Sequence, residues 1–163
     1  MEIREIEPVD NQAIEAIIKT SLEYFGLDQP GTAYFDPQLR CLSGYYAALP
    51  RAAYWVLVDE TEEVAGGIGI APFDEMKGIA ELQKLYIRPA FQGKGWAKRL
   101  VEIALEFARE YYMYCYLETM EILDQANRLY EQMGFEKLAE PLAGSEHTLM
   151  DTWYLKKLRF PEK

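Results

Sequence analysis

The sequence predicts an α+β protein whose central sheet is mixed but mostly antiparallel. Three successive apolar segments, at residues 53–59, 64–71 and 79–87, are separated by acidic or glycine-containing turns, which is typical of an antiparallel meander. A glycine loop follows the third segment and leads into a long amphipathic pattern, so we expect strand, loop and helix in succession. With 163 residues, of which 50% are hydrophobic, the chain is expected to form one domain over residues 1–163.

The region before the meander predicts a short strand and two helices. Residues 2–7 predict the strand. Asp10 is a suitable N-cap for the first helix, whose apolar residues recur at helical spacing as far as Gly26. Asp36 and Pro37 then predict the N-cap and the first turn of the second helix.

Within the meander, three glycines interrupt the second predicted strand at positions 66, 67 and 69. They indicate a bulge, a close approach of backbone or ligand, or packing against a neighbouring tyrosine. After the glycine loop, the apolar spacing predicts a helix of about four turns. The remaining predicted elements are a strand at residues 114–119, a helix at 123–133, a strand at 135–138 and a strand at 148–157.

The loop between the third strand of the meander and the long helix has the features of a phosphate-binding loop. Gly93 and Gly95 flank Lys94, so backbone amides can turn toward an anion without Cβ atoms in the way. The start of the next helix adds unpaired N–H groups and the positive end of the helix dipole. Neither the dinucleotide fingerprint nor the nucleotide triphosphate loop matches, because the third glycine of the former falls at Lys98 and no Gly-Lys pair precedes Ser or Thr.

Two short motifs, one in this loop and one in a later helix, point to a known family. The loop contains Gln92-x-x-Gly95-x-Ala97, and residues 127–135 read Asn-x-Leu-Tyr-x-x-Met-Gly-Phe. The first closely resembles the Q/R-x-x-G-x-G/A signature of the GNAT superfamily of acyl-CoA N-acyltransferases, and the second resembles that family's helix running into a Gly-Phe turn. The order of the predicted elements also fits. The resemblance implies a three-layer α/β/α fold with a splayed pair of central strands.

The resemblance further implies acetyl-CoA as cosubstrate and indicates the residues that bind it. Asn127 and Tyr130 lie three apart on one helix face and are expected to contact it, with Tyr130 protonating the departing thiolate. The loop residues expected to bind its pyrophosphate are Gln92, Gly93, Lys94, Gly95, Trp96 and Ala97. The residues whose backbone N–H groups are expected to polarise the thioester, at a bulge, are Leu85, Tyr86 and Ile87.

Acyl transfer to an amine also needs a base, because an alkylamine with a pKa of about 10.4 is almost fully protonated at pH 7. Glu81 is the first candidate, since it lies on the strand that enters the glycine loop, where many GNAT enzymes place a glutamate base. An acidic residue within an apolar strand is also costly to bury. Glu118, at the end of the next predicted strand, is the competing candidate, and either or both could serve.

A covalent route through Cys115 is not favoured. The thiol would need His147 to activate it, and nothing in the sequence brings the two together. Two cysteines and one histidine also argue against a catalytic metal.

Charge and hydropathy limit the partners of the chain. A net charge of -10 argues against affinity for nucleic acid and suits a cationic partner. No apolar run reaches membrane-spanning length and the N-terminus lacks the features of a signal peptide, so we expect a cytoplasmic protein without a membrane partner. The basic residues expected to compensate the anionic cosubstrate around the loop are Lys84, Arg88, Lys94, Lys98 and Arg99.

The acceptor is expected to be a small cationic amine or an amino acid. Aromatic residues are frequent in the early region and would suit a cation, namely Tyr34, Phe35, Tyr45, Tyr46 and Trp55. Acetylation of a protein lysine or N-terminus is the alternative, favoured if the groove between the early helices and the last strand is open at both ends.

A regulatory module that binds an acyl-CoA without turning it over is a further alternative. The family resemblance also admits a homodimer, although no sequence feature decides this.

Overall fold

Seven strands form one sheet in the computed structural model, which describes residues 1–158. The strands are β1 (Glu2–Glu5), β2 (Ala53–Val58), β3 (Val64–Asp74), β4 (Ile79–Ile87), β5 (Tyr114–Thr119), β6 (Glu136–Leu138) and β7 (Thr152–Lys157). The helices are α1 (Asn11–Tyr24), α2 (Leu42–Ala48), α3 (Trp96–Arg109) and α4 (Asp124–Gln132).

The sheet runs in the order β1-β2-β3-β4-β5-β7-β6. β1 to β4 form the antiparallel meander, and β4 and β5 pair in parallel across the centre. The last strand, β7, lies between β5 and β6 and is antiparallel to both. The expected α+β class with a mixed, mostly antiparallel sheet is therefore confirmed.

Two apolar cores cover the two faces of this sheet, because strand side chains alternate between the faces. On one face α3 and α4 pack against side chains such as Trp55 and Leu82. On the other face α1 and α2 pack against side chains such as Tyr54 and Val56. The three layers are thus helix, sheet and helix. We call the second of these surfaces the α1/α2 face.

The glycines of β3 make room for two buried tyrosines on the α1/α2 face. A Cβ at Gly67 would lie 2.5 Å from Cε1 of Tyr54, and a Cβ at Gly69 would overlap the hydroxyl end of Tyr46. Such distances are too short for a real Cβ, so the tyrosine alternative accounts for both glycines. The register between β3 and β4 also shifts between Gly67 and Gly69, where β4 uses the extra residue.

Two expected helix caps are wrong. Asp10 makes no side-chain cap to α1, because its carboxylate accepts the Glu7 N–H at 2.8 Å and pairs with Arg4 at 2.8 Å. Asp36 precedes a 3-10 turn, Pro37–Cys41, and its carboxylate likewise makes no cap. Among residues 1–158, no helix combines the length and the apolar composition that a bilayer crossing requires.

Candidate active site

The central parallel strands separate part-way along their length. β4 and β5 pair only from Ile79 to Glu81, where Glu81 lies opposite Tyr116. Beyond Glu81, β4 remains paired with β3 and β5 remains paired with β7. Within the described residues, the edge of β4 that faces β5 therefore has no strand partner after Glu81. An edge of this kind offers backbone N–H and C=O groups to a ligand. The splayed strand pair expected from the sequence is confirmed.

A bulge in β4 lies on this unpaired stretch. Lys84, inside the bulge, has a left-handed backbone with φ of 51°, which is uncommon for a residue with a side chain. Its carbonyl oxygen accepts a hydrogen bond from Tyr54 Oη at 2.9 Å, and this bond helps to hold the strained backbone in place. The residues expected to donate N–H groups to a thioester oxygen follow directly, namely Leu85, Tyr86 and Ile87.

The glycine loop connects β4 to α3 and leaves its backbone donors free. Gly93 and Gly95 have left-handed φ values of 75° and 86°. Gln92 turns back to the strand, and its Nε2 donates to the Ile87 carbonyl oxygen at 2.8 Å. The N–H groups of residues 93–98 have no hydrogen-bond acceptor within residues 1–158. They lie where α3 begins at Trp96, at the positive end of the helix dipole, which favours an anionic group.

Helix α4 contributes two side chains with unused polar groups. Nδ2 of Asn127 donates to the Met120 carbonyl oxygen at 2.9 Å, while its Oδ1 is buried and is the one such side-chain atom without a partner within residues 1–158. Tyr130 is 8% exposed and packs against Phe135 and Tyr154. Its hydroxyl has no hydrogen-bond partner within the described part of the chain. Burial raises the Tyr130 pKa, as do nearby Cys115 and Tyr154 to a smaller extent, so the phenol keeps its proton at neutral pH.

These features together fit acetyl-CoA. Free amides at the start of α3 suit a pyrophosphate, and a Cβ at Gly93 or Gly95 would meet no protein atom within 4 Å, so there is open space at the loop. The unpaired edge of β4 and the orphaned Oδ1 of Asn127 suit the amide groups of the pantetheine arm. Tyr86 lies on the stretch of β4 that has no β5 partner, where burial raises its pKa and Tyr130 adds to the shift.

Comparison with known proteins agrees with this geometry. Residues 14–135 match the model of the acetyltransferase (GNAT) family. The chain belongs to this family. It is also 41% identical over 159 residues to the uncharacterized N-acetyltransferase YjgM of Escherichia coli, covering 96% of this chain and 94% of that protein.

Two solved structures show the same GNAT fold. An acetyltransferase of Staphylococcus aureus superposes with a TM-score of 0.84 at 18% identity and covers 97% of this chain and 99% of that one. A phosphinothricin acetyltransferase of Sinorhizobium meliloti, solved in complex with acetyl-CoA, has a TM-score of 0.73 at 18% identity and covers 97% and 88% of the two chains. The protein is thus an acyl-CoA-dependent N-acetyltransferase of the GNAT type.

On the α1/α2 face of this GNAT domain, Glu81 stands where the paired part of β4 ends. Burial raises the pKa of Glu81 to about 6, a hydrogen bond from Gln83 opposes this shift, and the nearby Glu118 adds to it. Gln83 Nε2 donates to Oε1 of Glu81 at 2.5 Å, and Tyr46 Oη donates to Oε1 of Gln83 at 2.7 Å. A carboxyl group with such a pKa is ionised at neutral pH and can still take up a proton.

The competing acid, Glu118, lies on β5 beyond the point where the strands separate. Its Oε2 accepts hydrogen bonds from Tyr116 Oη at 2.9 Å and from Ser145 Oγ. Two donors on one oxygen hold the Glu118 side chain in place. The structure therefore brings Glu81 and Glu118 to one face, but it gives Glu118 the contacts of a fixed carboxylate.

A partly buried ionic cluster lies on the α1/α2 face, and no local pattern in the sequence indicated it. Asp36 Oδ2 pairs with Lys84 Nζ at 2.8 Å, and both Asp36 oxygens lie 3.1 Å from His147 Nε2. The hydrogen bond to Asp36 is the main reason that the His147 pKa is raised. Burial works against ionisation of Asp36, yet His147 and Lys84 together lower its pKa below the ordinary value. Asp36 is separated in the chain from Lys84 by 48 positions and from His147 by 111 positions.

Two expectations about the surroundings need correction. Lys84 is 4% exposed and paired with Asp36, so it does not belong to the cations around the glycine loop. Among the aromatic residues, Trp55 packs against Phe107 on the opposite face of the sheet and cannot line the acceptor side. The half-buried ring of Tyr45 packs against Tyr46 on the α1/α2 face, with 5.1 Å between ring centroids. Its pKa is raised first by burial and then by Glu146, Glu81 and Asp36.

The two members of a covalent route lie apart. Cys115 is buried in the core on the α3/α4 side, and burial raises its thiol pKa, so the reactive thiolate is disfavoured. His147 lies in the loop between β6 and β7 and binds Asp36. This agrees with the expectation that a covalent route through Cys115 is not favoured.

If the loop binds pyrophosphate through its amides, coenzyme A should stabilise the protein by about 2.7 kcal/mol at 100 times its Kd. Gly95→Val should abolish the resulting rise in Tm, measured by differential scanning fluorimetry, because a branched side chain would occupy the space of the phosphate. Gly26→Val is the matched control, since Gly26 also has a positive φ of 70° and no atom near its Cβ position. It should lower the Tm yet keep the coenzyme A shift. A full shift in folded Gly95→Val protein would exclude the loop as the phosphate site.

Proposed function

We propose that the protein transfers the acetyl group of acetyl-CoA to the primary amine of a small cationic molecule or amino acid, by direct attack of the amine. The observation that carries this proposal is the placement of Glu81. Its carboxyl group has a pKa of about 6 and lies where the splayed strands open, on the face opposite α3 and α4. No covalent enzyme intermediate is needed, because the attacking group is the amine itself.

Apart from Gln92, whose N–H and Nε2 donate to the carbonyl oxygens of Pro89 and Ile87, the residues proposed to hold acetyl-CoA have polar groups without a partner within residues 1–158. The loop Gln92, Gly93, Lys94, Gly95, Trp96 and Ala97 would bind the pyrophosphate, and Asn127 and Tyr130 would contact the arm. When bound, acetyl-CoA supplies an acyl group that is already activated as a thioester. Lys94 lies 5.9 Å from the centre of the Phe91 ring and is exposed, so it adds a screened charge to the loop.

Three groups of the chain then serve the transfer. Glu81 accepts the proton of the incoming ammonium, directly or through water, so that the nitrogen lone pair can form the new C–N bond. The N–H groups around Leu85, Tyr86 and Ile87 donate to the carbonyl oxygen as it gains negative charge. The Tyr130 hydroxyl gives its proton to the sulfur as the C–S bond breaks, and the nitrogen releases its second proton, which restores the phenol through water. Each group acts at a different atom, which agrees with their separate positions on β4 and α4.

A small acceptor is favoured over a protein because the loop between β6 and β7 (residues 139–151, the β6–β7 loop) is fastened at both sides of the α1/α2 face. On one side His147 binds Asp36, and the Leu149 N–H donates to the Gly31 carbonyl oxygen at 3.2 Å. On the other side Ser145 Oγ donates to Glu118. A groove bridged in this way is not open at both ends, as a protein substrate would require.

A cationic acceptor is favoured by the charge of the same surface. Lys84 and His147 are both paired with Asp36, while Glu81 and Glu118 have no cationic partner within the described residues. Glu118, held by Tyr116 and Ser145, is suited to bind an ammonium group, and the half-buried ring of Tyr45 adds a cation–π surface. The acceptor side therefore has an excess of negative charge.

The role of Glu81 is tested by Glu81→Gln, which keeps the volume but cannot accept the proton. We expect kcat/KM for amine to fall by about 10²- to 10⁴-fold at neutral pH, with donor binding unchanged. Wild-type activity should fall as pH drops through about 6, where Glu81 becomes protonated, and this acid limb should be missing from the variant. The deficit should also narrow as pH approaches the amine pKa, because more of the amine is then neutral.

The readout is thiol release from acetyl-CoA over a panel of amines, which also identifies the acceptor class. A deficit of equal size at every pH would mean that Glu81 only anchors the cation. Full activity in Glu81→Gln together with a pH-dependent loss in Glu118→Gln would assign the base to Glu118. Binding of acetyl-CoA without thiol release on any amine would contradict the proposed transfer.

Tyr130→Phe tests the proton donor, since the ring packing against Phe135 and Tyr154 is kept and only the hydroxyl is lost. We expect kcat to fall by roughly 10²-fold, at the low end for a general acid because a thiolate leaves readily. The dissociation constant of acetyl-CoA, measured by calorimetry, should remain near the wild-type value. An unchanged kcat with weaker donor binding would make the hydroxyl a binding contact only.

A further inference from the structure

A chain of hydrogen bonds on the α1/α2 face ends at the proposed base. Gln83 lies two residues after Glu81 on β4, so both side chains project from the same face of the sheet. Nε2 of Gln83 donates to Oε1 of Glu81 at 2.5 Å, and Oε1 of Gln83 accepts from Tyr46 Oη at 2.7 Å. Both polar ends of the Gln83 amide are therefore used.

The tyrosine at the start of this chain is fixed. Tyr46 is 2% exposed, and its ring packs against Tyr45 at 5.1 Å and Tyr54 at 5.3 Å between centroids. The space for its hydroxyl end exists because residue 69 is glycine, as a Cβ there would overlap it. Burial raises the pKa of Tyr46 well above its ordinary value, so its hydroxyl remains a donor over the working pH range.

The direction of the chain follows from charge. With Glu81 ionised, only the NH₂ end of the Gln83 amide can face the carboxylate, since the amide oxygen would be repelled. The amide oxygen then faces Tyr46, which has a proton to donate. The carboxylate sets this order, and the Tyr46 hydroxyl, which can donate or accept, donates in response. An oriented donor of this kind restricts the carboxylate to one position and stabilises its charge.

We propose that Gln83, itself held by Tyr46, is a positioning residue that orients the Glu81 carboxylate to take the proton of the amine. This inference rests on the proposed role of Glu81 as base. Neither Gln83 nor Tyr46 needs to touch the substrate. Their effect on the reaction passes through Glu81 alone, which separates them from residues that only stabilise the fold.

Several charged groups act on Glu81, and they define what loss of Gln83 would change. Burial raises its pKa, the Gln83 bond lowers it, Glu118 on β5 raises it, and His147 and Lys84 lower it. With Gln83 removed, the groups that still lower the Glu81 pKa are His147 and Lys84, which are both paired with Asp36. The effect of burial, which raises this pKa, is then opposed less strongly. The Glu81 pKa should therefore rise, and the base should become active only at higher pH.

The test is the pH profile of kcat/KM for amine in Gln83→Leu, with the best acceptor from the amine panel or, if none is found, with spermidine and lysine as defined probes. We expect the acid limb to move up from about 6 by roughly one pH unit. At pH 7 this pKa shift alone should lower kcat/KM about twofold. Loss of the orienting hydrogen bond should lower the plateau of kcat/KM at every pH as well, so that the total loss is about tenfold, while the dissociation constant of acetyl-CoA stays unchanged. Tyr46→Phe should shift the limb in the same direction by less, because Gln83 can still donate.

Tyr112→Phe is the matched control for loss of a buried tyrosine hydroxyl. Tyr112 is 1% exposed and donates to the Arg51 carbonyl oxygen at 2.7 Å, in the core on the α3/α4 side of the sheet and not on the face of Glu81. It should reduce the Tm without moving the acid limb. If Gln83→Leu fails to fold, the pH profiles of kcat/KM in Tyr46→Phe and Tyr112→Phe are compared instead. Equal profiles in these two variants would overturn the inference.

A double variant separates positioning from packing. In the Glu81→Gln background, Gln83→Leu should have no further effect on kcat, since its only route to the reaction is already lost. A further loss of similar size would show that Gln83 acts on the structure, and would overturn the inference. An unmoved limb in Gln83→Leu, with the limb absent in Glu81→Gln, would reject the positioning role alone. An intact limb in Glu81→Gln would instead reject Glu81 as the base.

Discussion

The separation of β4 from β5 after Glu81 is the constraint on which the candidate site depends. Three residue pairs hold the parallel strands together, and the next residues of each strand pair only with the meander or with β7. The separation exposes the edge of β4 beside the glycine loop, and the bulge at Lys84 changes the direction of that edge. Donor side and acceptor side meet there, because α4 covers one face of the opening and the early helices cover the other. The positions of the side chains in this site thus depend on the backbone geometry of the two strands.

The same opening explains why an acid on β4 becomes useful. Glu81 is the last residue of β4 that pairs with β5. It is buried enough for its pKa to rise, yet it borders the opening between the two strands, where the proposed amine would arrive. Its neighbours balance two demands. Burial and Glu118 favour the neutral form, whereas Gln83, His147 and Lys84 favour the ionised form. This balance leaves the Glu81 pKa at about 6, which is within the range that the proposed role as a base requires. Asp36 contributes indirectly, since it holds both Lys84 and His147 in place.

Local patterns in the sequence predicted most of the fold, whereas the acceptor side depends on contacts that no local pattern contains. The meander, the glycine loop and the amphipathic α3 follow from hydrophobic periodicity and glycine placement. The position of β7 between β5 and β6 is a long-range pairing that the element order alone does not give. Lys84 resembled a loop cation because its sequence neighbours are basic, but its left-handed backbone directs it to Asp36 instead. Because side chains alternate between the faces of a strand, the spacing of Glu81 and Gln83 is enough to place both on one face. The contact of Gln83 with Tyr46 does not follow from a local pattern, since Tyr46 lies 37 residues away in the chain.

The claim that burial makes Glu81 a base near neutrality is tested most directly by its own titration. The carboxyl carbon of Glu81 can be followed by NMR in protein labelled with ¹³C-glutamate and assigned by comparison with Glu81→Gln. If burial raises the Glu81 pKa as described, the midpoint of this titration lies at about 6. A midpoint at or below the ordinary value for glutamate, about 4.3, would contradict it.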